Sequence, residues 1–329
     1  MGGGTEAIRM RVLLVHYNPA EPGVAGGAES AIRDQAQALR MLGHDVTTCF
    51  EHPSRVFADH DVIHFHTIHV RLGLDALRWA QRRGIPHCLS LHDYWPFCLP
   101  RMLLRDSDQS CAAVRGVCDL GCQYPPVSKE MRALVNGSPT VTFNPYSAAI
   151  FERNGVHIRK VIPHGIDTDF FTPGQKQPGS IVTVTAWPGA PTKGMHILSR
   201  ALREARLTGR CIHGVTRARV RDELQRADIF VFPSCYEETF GLVLAEAMAC
   251  GCAVISSDVA GGKYQVESAK CGILFENRTV VQLAQALQEL TQDHARCREM
   301  GAAARAYMET HGTLERMGRD YEAFYGELT

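Results

Sequence analysis

The 329-residue sequence has no excess of either charge, because 35 lysines and arginines balance 35 aspartates and glutamates. Nucleic-acid-binding domains are usually strongly basic, so we expect no nucleic-acid partner. Long apolar runs are lacking too, and the short one near the start, RVLLV, cannot form a signal peptide or a membrane span. We therefore expect a cytoplasmic protein whose association with membranes is at most peripheral. The oligomeric state does not follow from these features.

A disulfide framework is also lacking, although the sequence contains 12 cysteines. Most lie in apolar segments predicted as strands or helices, as buried thiols of cytoplasmic proteins do. These are Cys49, Cys88, Cys211, Cys250, Cys252 and Cys271. Four others share one loop and are either thiols, a disulfide or ligands of a structural zinc. They are Cys98, Cys111, Cys118 and Cys122. Their spacing is loose for zinc, so we expect no bound metal.

What the sequence does have is a regular alternation of short apolar runs and segments of helical period. Both faces of the runs are apolar, which predicts parallel, doubly wound sheets in an α/β fold. The predicted strands lie at 11–17, 45–50, 61–67, 87–93, 140–144 and 160–163, and then at 181–187, 210–214, 227–233, 252–258 and 272–276. The polar stretch 171–180 separates the two series, which predicts domains at 1–170 and 171–312. Ligands of such sheets bind at the carboxyl ends of the strands, so two facing sheets would share one cleft.

The segment PSCYEETFGLVLAEAMACGCAVISSD predicts a strand, an acidic loop and then a helix that begins near 240–241. Unpaired amides at a helix start favour a phosphate or another anion. Glu238 precedes this start, and Glu246 lies about a turn and a half beyond it. Two carboxylates so placed can accept hydrogen bonds from sugar hydroxyls. The alternative is a surface acid followed by an ordinary acid on a helix face.

The segment EETFGLVLAEAMACGCAVISSD resembles the signature of family 4 retaining glycosyltransferases, which have the GT-B fold of two Rossmann-like domains. Other segments agree in order: AGGAES with the glycine loop of that family, VIPHGIDTDFF with its "NGID" segment, and TKG with its "KG" motif. The last helix, TLERMGRDYEAFYGEL, resembles the helix that returns to the first domain, so residues 313–329 are expected to complete that domain. No cofactor is implied.

The resemblance assigns roles to residues of the second domain. Glu238 would contact the donor sugar, Glu246 the ribose, and Lys193 the departing diphosphate. Backbone amides at the helix start would bind the sugar and diphosphate. These are the amides of Phe240, Gly241, Leu242 and Val243.

In the first domain, the resemblance assigns amides of Gly26 and Gly27 to the diphosphate and His92 to the reacting sugar. A tight turn explains the glycines equally well. His92 is either catalytic or a strand-end histidine bonded to backbone, while Asp93 is either the functional member of the pair or the cap of the next turn.

Two departures from the family pattern concern the donor site. The arginine that usually precedes the "KG" lysine by six residues is replaced by Trp187, with Arg217, Arg219 or a first-domain residue as candidates to compensate. The family usually has a further strand–helix unit before the strand at 210–214. Here only residues 206–209 lie between that strand and the preceding helix, so this unit is missing. The base of the donor is therefore left open.

The long segment 94–126 follows His92 and has little strand or helix pattern, as functional loops often do. Trp95 and Arg101 suit stacking on sugar rings and hydrogen bonding to hydroxyls, which predicts an acceptor pocket. The alternative is an insertion that only stabilises the first domain.

The resemblance thus implies a retaining hexosyltransferase that uses a nucleoside diphosphate sugar, UDP-linked in preference to GDP-linked. The acceptor hydroxyl would belong to a saccharide, a lipid-linked saccharide or a small natural product. The alternatives are an epimerase or phosphorylase of the same fold, or a non-catalytic nucleotide-sugar-binding protein.

Overall fold

A computed structural model describes residues 9–16, 26–49, 59–66, 68, 71–98, 101, 103–105, 109–111 and 127–329. They form two α/β units, each built on a parallel sheet with helices on its faces. The predicted pair of doubly wound parallel sheets is confirmed.

The first sheet has six parallel strands in the order β2-β1-β3-β4-β7-β8. Its strands are β1 (Arg11–His16), β2 (Asp45–Cys49), β3 (Val62–His66), β4 (His87–Ser90), β7 (Thr140–Thr142) and β8 (Lys160–Val161). A separate antiparallel pair consists of β5 (Leu104–Arg105) and β6 (Gln109–Ser110). The helices of this unit are α1 (Gly27–Met41), α2 (Arg71–Arg82), α3 (Lys129–Asn136) and α4 (Pro145–Arg153). Strands β1 and β3 are almost wholly buried, because helices cover both faces of a parallel sheet.

The second sheet has five parallel strands in the order β10-β9-β11-β12-β13. They are β9 (Gln177–Val184), β10 (Arg210–Ile212), β11 (Ala227–Phe232), β12 (Ala253–Ser257) and β13 (Gly272–Phe275). Its helices are α5 (Met195–Ala205), α6 (Arg217–Arg226), α7 (Leu242–Ala249), α8 (Ala260–Ala269), α9 (Val280–Gln292) and α10 (His294–His311).

The last helix, α11 (Leu314–Gly326), packs on α1 of the first unit. Its buried residues, among them Met317, Tyr321 and Phe324, join the core formed by β1 and α1. The Tyr325 hydroxyl also lies 2.7 Å from Nδ1 of His64 on β3. The chain therefore passes through the second unit and ends against the first.

Two sequence predictions need correction. Strand β9 begins at Gln177, so the last part of the stretch 171–180 is strand and not linker. Cys211 is exposed, although the apolar pattern predicted burial, because β10 is the edge strand of its sheet. The thiols of Cys88, Cys250 and Cys252 are buried as predicted.

Candidate active site

A cavity of about 420 Å³ lies between the two units, at the carboxyl ends of the strands. The first unit contributes Gly26, Gly27 and Arg33 from the start of α1. The second contributes Lys193, Glu238 and Glu246. This volume falls within the range of roughly 300–1,000 Å³ that small-molecule sites occupy. The structure thus brings six residues from distant parts of the sequence to one cavity.

The Glu238 carboxylate is held by three donors. Lys193 Nζ donates to Oε1 at 2.7 Å, the Ser234 hydroxyl donates to the same oxygen at 3.2 Å, and the Tyr236 hydroxyl donates to Oε2 at 2.7 Å. Burial and the charge of Glu238 raise the pKa of Tyr236 well above its ordinary value, so the phenol keeps its proton and remains a donor. No motif in the sequence indicates this role for Tyr236, although it lies two residues before Glu238.

Gly194 explains why Lys193 can reach this site. Its φ of 67° is in the left-handed region, and a Cβ there would lie 1.8 Å from the carbonyl oxygen of Pro233 at the end of β11. Only glycine fits such an approach. The Cys235 amide also donates to the Thr192 carbonyl at 2.7 Å, which joins the two loops and sets Lys193 beside Glu238.

Helix α7 begins at the cavity, two residues later than the sequence predicted. Gly241 precedes it with φ 88°, and a Cβ there would meet the Phe232 ring at 2.9 Å. Leu242 and Val243 line the cavity together with Gly241. Amides in the first turn of a helix have no acceptors within the helix, so they are available to an anion. The Phe240 side chain is buried, and it packs edge-on against the ring of His164.

Glu246 lies one turn into α7, and its carboxylate is largely buried. Burial raises its pKa to about 7, and the opposing charge of Arg217 only partly offsets this. Nε of Arg217 lies 3.4 Å from Oε1 of Glu246, while the rest of the guanidinium forms two hydrogen bonds to Asp34 of α1. Glu246 therefore lies where the two units meet.

Gly26 and Gly27 face α7 from the other side of the cavity, with Leu242 closest to Gly27. A carboxylate already lies near them, because the Glu29 side chain comes within 2.6 Å of the Cβ position of Gly26. Although burial opposes it, hydrogen bonds from His16 and from backbone amides lower the pKa of Glu29. A diphosphate at these glycines would lie next to this ionised acid.

His92 follows β4 and lies in a group of buried rings. Its Nε2 is 2.9 Å from Nδ1 of His66, and its ring stacks near His164 and Phe143. Burial, and then the neighbouring His16, lower the pKa of His92 to about 3, so the imidazole is neutral at physiological pH.

The backbone of His92 is tied directly to the loop that carries Glu238. The Thr239 hydroxyl donates to the His92 carbonyl at 2.7 Å, and the Asn144 amide donates to the Thr239 carbonyl at 2.5 Å. The first unit thus holds the residue next to Glu238 from two sides, which brings His92 and Glu238 to the same end of the cleft.

Asp93 and Arg101 form a pair at 3.7 Å beside His92. Burial raises the pKa of Asp93 to about 6, against the opposing charge of Arg101. Asp93 also accepts a hydrogen bond from the Trp95 amide at 3.0 Å, which is the turn-capping role that the sequence left open. The acceptor role of Arg101 stays a prediction.

The prediction that Trp95 stacks on an acceptor sugar is wrong for this structure. Trp95 is only 2% exposed, and its indole lies in the core of the first unit with Phe97 and Leu103. A large apolar ring gains more free energy in a core than on a loop surface, and the sequence pattern of this segment does not show which of the two applies.

The cysteines of the same segment are only partly described. Cys111 is buried and Cys98 packs against the same core, whereas Cys118 and Cys122 lie outside the described residues. Within the described ranges, no group of three residues could hold a metal ion. The zinc alternative therefore stays untested.

Trp187, which replaces the usual arginine, lines the cavity with 60% of its surface exposed. Of the candidates to compensate, Arg217 lines the cavity, while Arg219 pairs with the buried Glu223. Arg33 of α1 also lines the cavity, as a cation from the first domain. No motif in the sequence indicates Arg33, because the glycine loop that resembles the family pattern ends before it.

Of the helices that the structure describes, none has the length and apolar character needed to cross a bilayer.

Comparison with protein-family models matches residues 193–307 to "Glycosyl transferases group 1". A D-inositol 3-phosphate glycosyltransferase of Rhodococcus opacus is 37% identical over 91 residues, which are 28% of this chain and 20% of that protein. The chain therefore spans about a fifth of the length of this relative.

Solved structures resemble nearly the whole chain. Sucrose-phosphate synthase of Thermosynechococcus elongatus gives a TM-score of 0.74 at 18% identity, covering 97% of this chain and 99% of that one. HepE of Anabaena, in complex with UDP and glucose, gives 0.70 at 16% identity, covering 97% and 100%. These likenesses show that the fold is GT-B. The resemblance to glycosyltransferases that the motifs indicated is thus confirmed for residues 193–307, and the fold is GT-B as predicted.

Proposed function

We propose that this protein transfers a glycosyl group from a nucleoside diphosphate sugar to an acceptor hydroxyl and retains the anomeric configuration. The observation that carries the proposal is the convergence of Lys193, Glu238 and Glu246 with the start of α7 on one interdomain cavity. A cation, free amides and two carboxylates are the groups that a diphosphate flanked by two sugars requires.

Each part of the donor has a complementary group in this cavity. The diphosphate would lie at the start of α7 beside Lys193, with the amides of Gly26 and Gly27 on its other side. The ribose hydroxyls would donate to Glu246, and hydroxyls of the transferred sugar to Glu238. These assignments agree with the roles that the family resemblance implies for the same residues.

The reaction breaks the bond between the anomeric carbon and the β-phosphate oxygen and forms a bond from that carbon to the acceptor oxygen. Negative charge develops on the leaving diphosphate, where Lys193 and the α7 amides stabilise it. The acceptor proton passes to the leaving phosphate, so no protein base is needed. Glu238 positions the sugar, and its three donors keep it from acting as a nucleophile.

Lys193 has two roles in this scheme. Without donor it neutralises Glu238 at 2.7 Å, and with donor it would turn toward the diphosphate. Tyr236 and Ser234 would continue to donate hydrogen bonds to the carboxylate. Glu238 would therefore stay in place while Lys193 also contacts the diphosphate. Neutral His92 would contribute a hydrogen bond to the sugar and no charge.

The donor base and the acceptor belong to the same proposal. We favour UDP over GDP, as the similarly folded HepE is described in complex with UDP and glucose. The acceptor would be a saccharide, a lipid-linked saccharide or a small natural product, and Arg101 remains the candidate to contact it.

The proposal is tested by thermal unfolding in a panel of UDP- and GDP-linked sugars, followed by donor hydrolysis without acceptor. A cognate donor should raise the melting temperature by mass action and be hydrolysed slowly. A protein stabilised by no member of the panel would contradict the proposal. Stabilisation without any hydrolysis or transfer would favour a non-catalytic nucleotide-sugar-binding protein. The exposed Trp187, at the position where the family usually has an arginine, is consistent with this alternative.

A further inference from the structure

Asp34 of α1 and Arg217 of α6 form an ion pair between the two units. Nη1 and Nη2 of Arg217 lie 2.6 Å and 2.7 Å from the two carboxylate oxygens of Asp34. This bidentate geometry fixes the plane of the guanidinium as well as its position. The Arg217 side chain thereby joins the first unit to the start of α6.

The third member of this group is Glu246, a residue of the cavity. Nε of Arg217 lies 3.4 Å from its carboxylate, on the edge of the guanidinium that Asp34 leaves unoccupied. The Arg217 guanidinium also lies over the Phe171 ring at 5.0 Å, which holds it from a further side. One side chain therefore contacts the opposite unit and a ligand-facing acid at once.

Two buried carboxylates in this group share one guanidinium. The Asp34 carboxylate is 1% exposed and that of Glu246 is 11% exposed, and they share a single buried guanidinium. Arg33 and Asp167 are the other charged groups that act on Asp34. Because Arg217 is shared by two carboxylates, Glu246 can accept further hydrogen bonds. Hydroxyls of a ligand can donate them.

We propose that Asp34 is a positioning residue that couples closure of the cleft to occupancy of the cavity, by holding Arg217 against Glu246. Asp34 itself does not line the cavity. With Asp34 in place, Arg217 contacts both Asp34 and Glu246, and the Glu246 carboxylate stays available to ligand hydroxyls. Without it, Arg217 turns to Glu246 alone, closes off that carboxylate and no longer joins the units. The inference rests on the proposed function for the identity of the ligand.

The test compares Asp34→Asn with the wild-type protein and with Asp61→Asn. The control breaks an exposed ion pair with Arg11 inside the first unit, far from the cleft. Small-angle X-ray scattering of ligand-free protein reports closure, and calorimetry with UDP and GDP reports affinity. Asp34→Asn should increase the radius of gyration and weaken binding of the preferred nucleotide by roughly tenfold or more, because buried charge pairs couple strongly. Asp61→Asn should change neither quantity.

Two further variants separate coupling from a general loss of structure. Asp34→Glu keeps the charge and should restore most of the affinity. Arg217→Gln should open the protein as Asp34→Asn does, and the double variant should be no looser than either single one, since both remove the same contact. Additive opening by the two substitutions would overturn the proposal.

The proposed function and this inference fail in different ways. Wild-type affinity and wild-type scattering in Asp34→Asn would refute the coupling and leave the donor site intact. Absence of nucleotide binding by the wild-type protein would refute the ligand assignment and the coupling to it, and scattering would still report whether Asp34 holds the units together.

Discussion

Lys193 and Glu238 are paired at 2.7 Å, although the family resemblance assigns the two residues to different parts of the donor. The carboxylate also accepts hydrogen bonds from Tyr236 and Ser234, so it stays fixed when the lysine turns away. A diphosphate that enters the cavity competes with Glu238 for the ammonium. Lys193 and Glu238 thus neutralise each other in the proposed donor site when no ligand is bound.

Glu246→Ala is expected to weaken donor binding, whereas Glu238→Ala is expected mainly to lower turnover. In the proposed function Glu246 would face the ribose, where its hydrogen bonds would be the same before and during reaction, whereas Glu238 would face the transferred sugar. Calorimetry and product formation measure the two effects. Glu315→Ala, an exposed acid on α11, serves as the control. Wild-type values for both Glu238→Ala and Glu246→Ala would show that the donor site lies elsewhere.

Donor affinity should rise as the pH increases through about 7. Burial raises the pKa of Glu246 to about 7, and ligand hydroxyls donate to the ionised carboxylate, so protonation below this pH removes their acceptor. Arg217 and Asp34 face the same carboxylate and share its titration. Calorimetry between pH 5.5 and 8.5 measures the trend, and Glu246→Gln should flatten it. A pH trend that persists in Glu246→Gln would assign it to another group.

Gly194→Ala should destabilise the protein by about 1–3 kcal/mol or more, because a side chain there meets the Pro233 carbonyl in a left-handed conformation. Gly189→Ala is the matched control, since a Cβ at this nearby glycine meets nothing within 4 Å. Chemical unfolding measures both free energies. Equal stabilities of the two variants would contradict the packing described for this loop.

Trp95→Ala should lower the free energy of unfolding by about 3–5 kcal/mol, since it empties a core position. Trp187→Ala, at a site 60% exposed, should cost much less. If Trp95→Ala instead left stability unchanged and raised only the Michaelis constant for the acceptor, the original acceptor assignment would be restored.

Activity should survive exhaustive treatment with EDTA, because Lys193 and the amides of α7 supply the counter-charge for the leaving diphosphate. Turnover of the cognate donor before and after treatment provides the measurement. Loss of turnover that magnesium or manganese restores would mean that the protein groups are not sufficient.

The sequence predicted the strands well, since buried parallel strands such as β1 and β11 are short apolar runs that carry their own signal. It also indicated that Glu238 and Glu246 lie near each other, because both belong to one contiguous motif, and both line the cavity. The role of Lys193 was predicted from the "KG" motif that it forms with Gly194.

Contacts between distant segments left no comparable signal. Asp34 and Arg217 are 183 positions apart, and neither lies in a motif that indicates a partner. Trp95 has the residue type of a sugar-binding platform, and only the packing of the first unit shows that its ring is buried. The tertiary structure determines both the Asp34–Arg217 contact and the burial of Trp95. No local sequence pattern encodes either of them.

A nucleoside diphosphate sugar is proposed to bind between Lys193, Glu238 and Glu246. Calorimetric titration of UDP into the wild-type protein and into Lys193→Ala tests this assignment, with GDP titrated in parallel. We expect saturable binding of one nucleotide by the wild-type protein and a loss of affinity of at least about tenfold in Lys193→Ala, because the substitution removes a charge-assisted contact to phosphate. Equal affinity of the two proteins for that nucleotide, or no binding of either nucleotide by the wild-type protein, would contradict it.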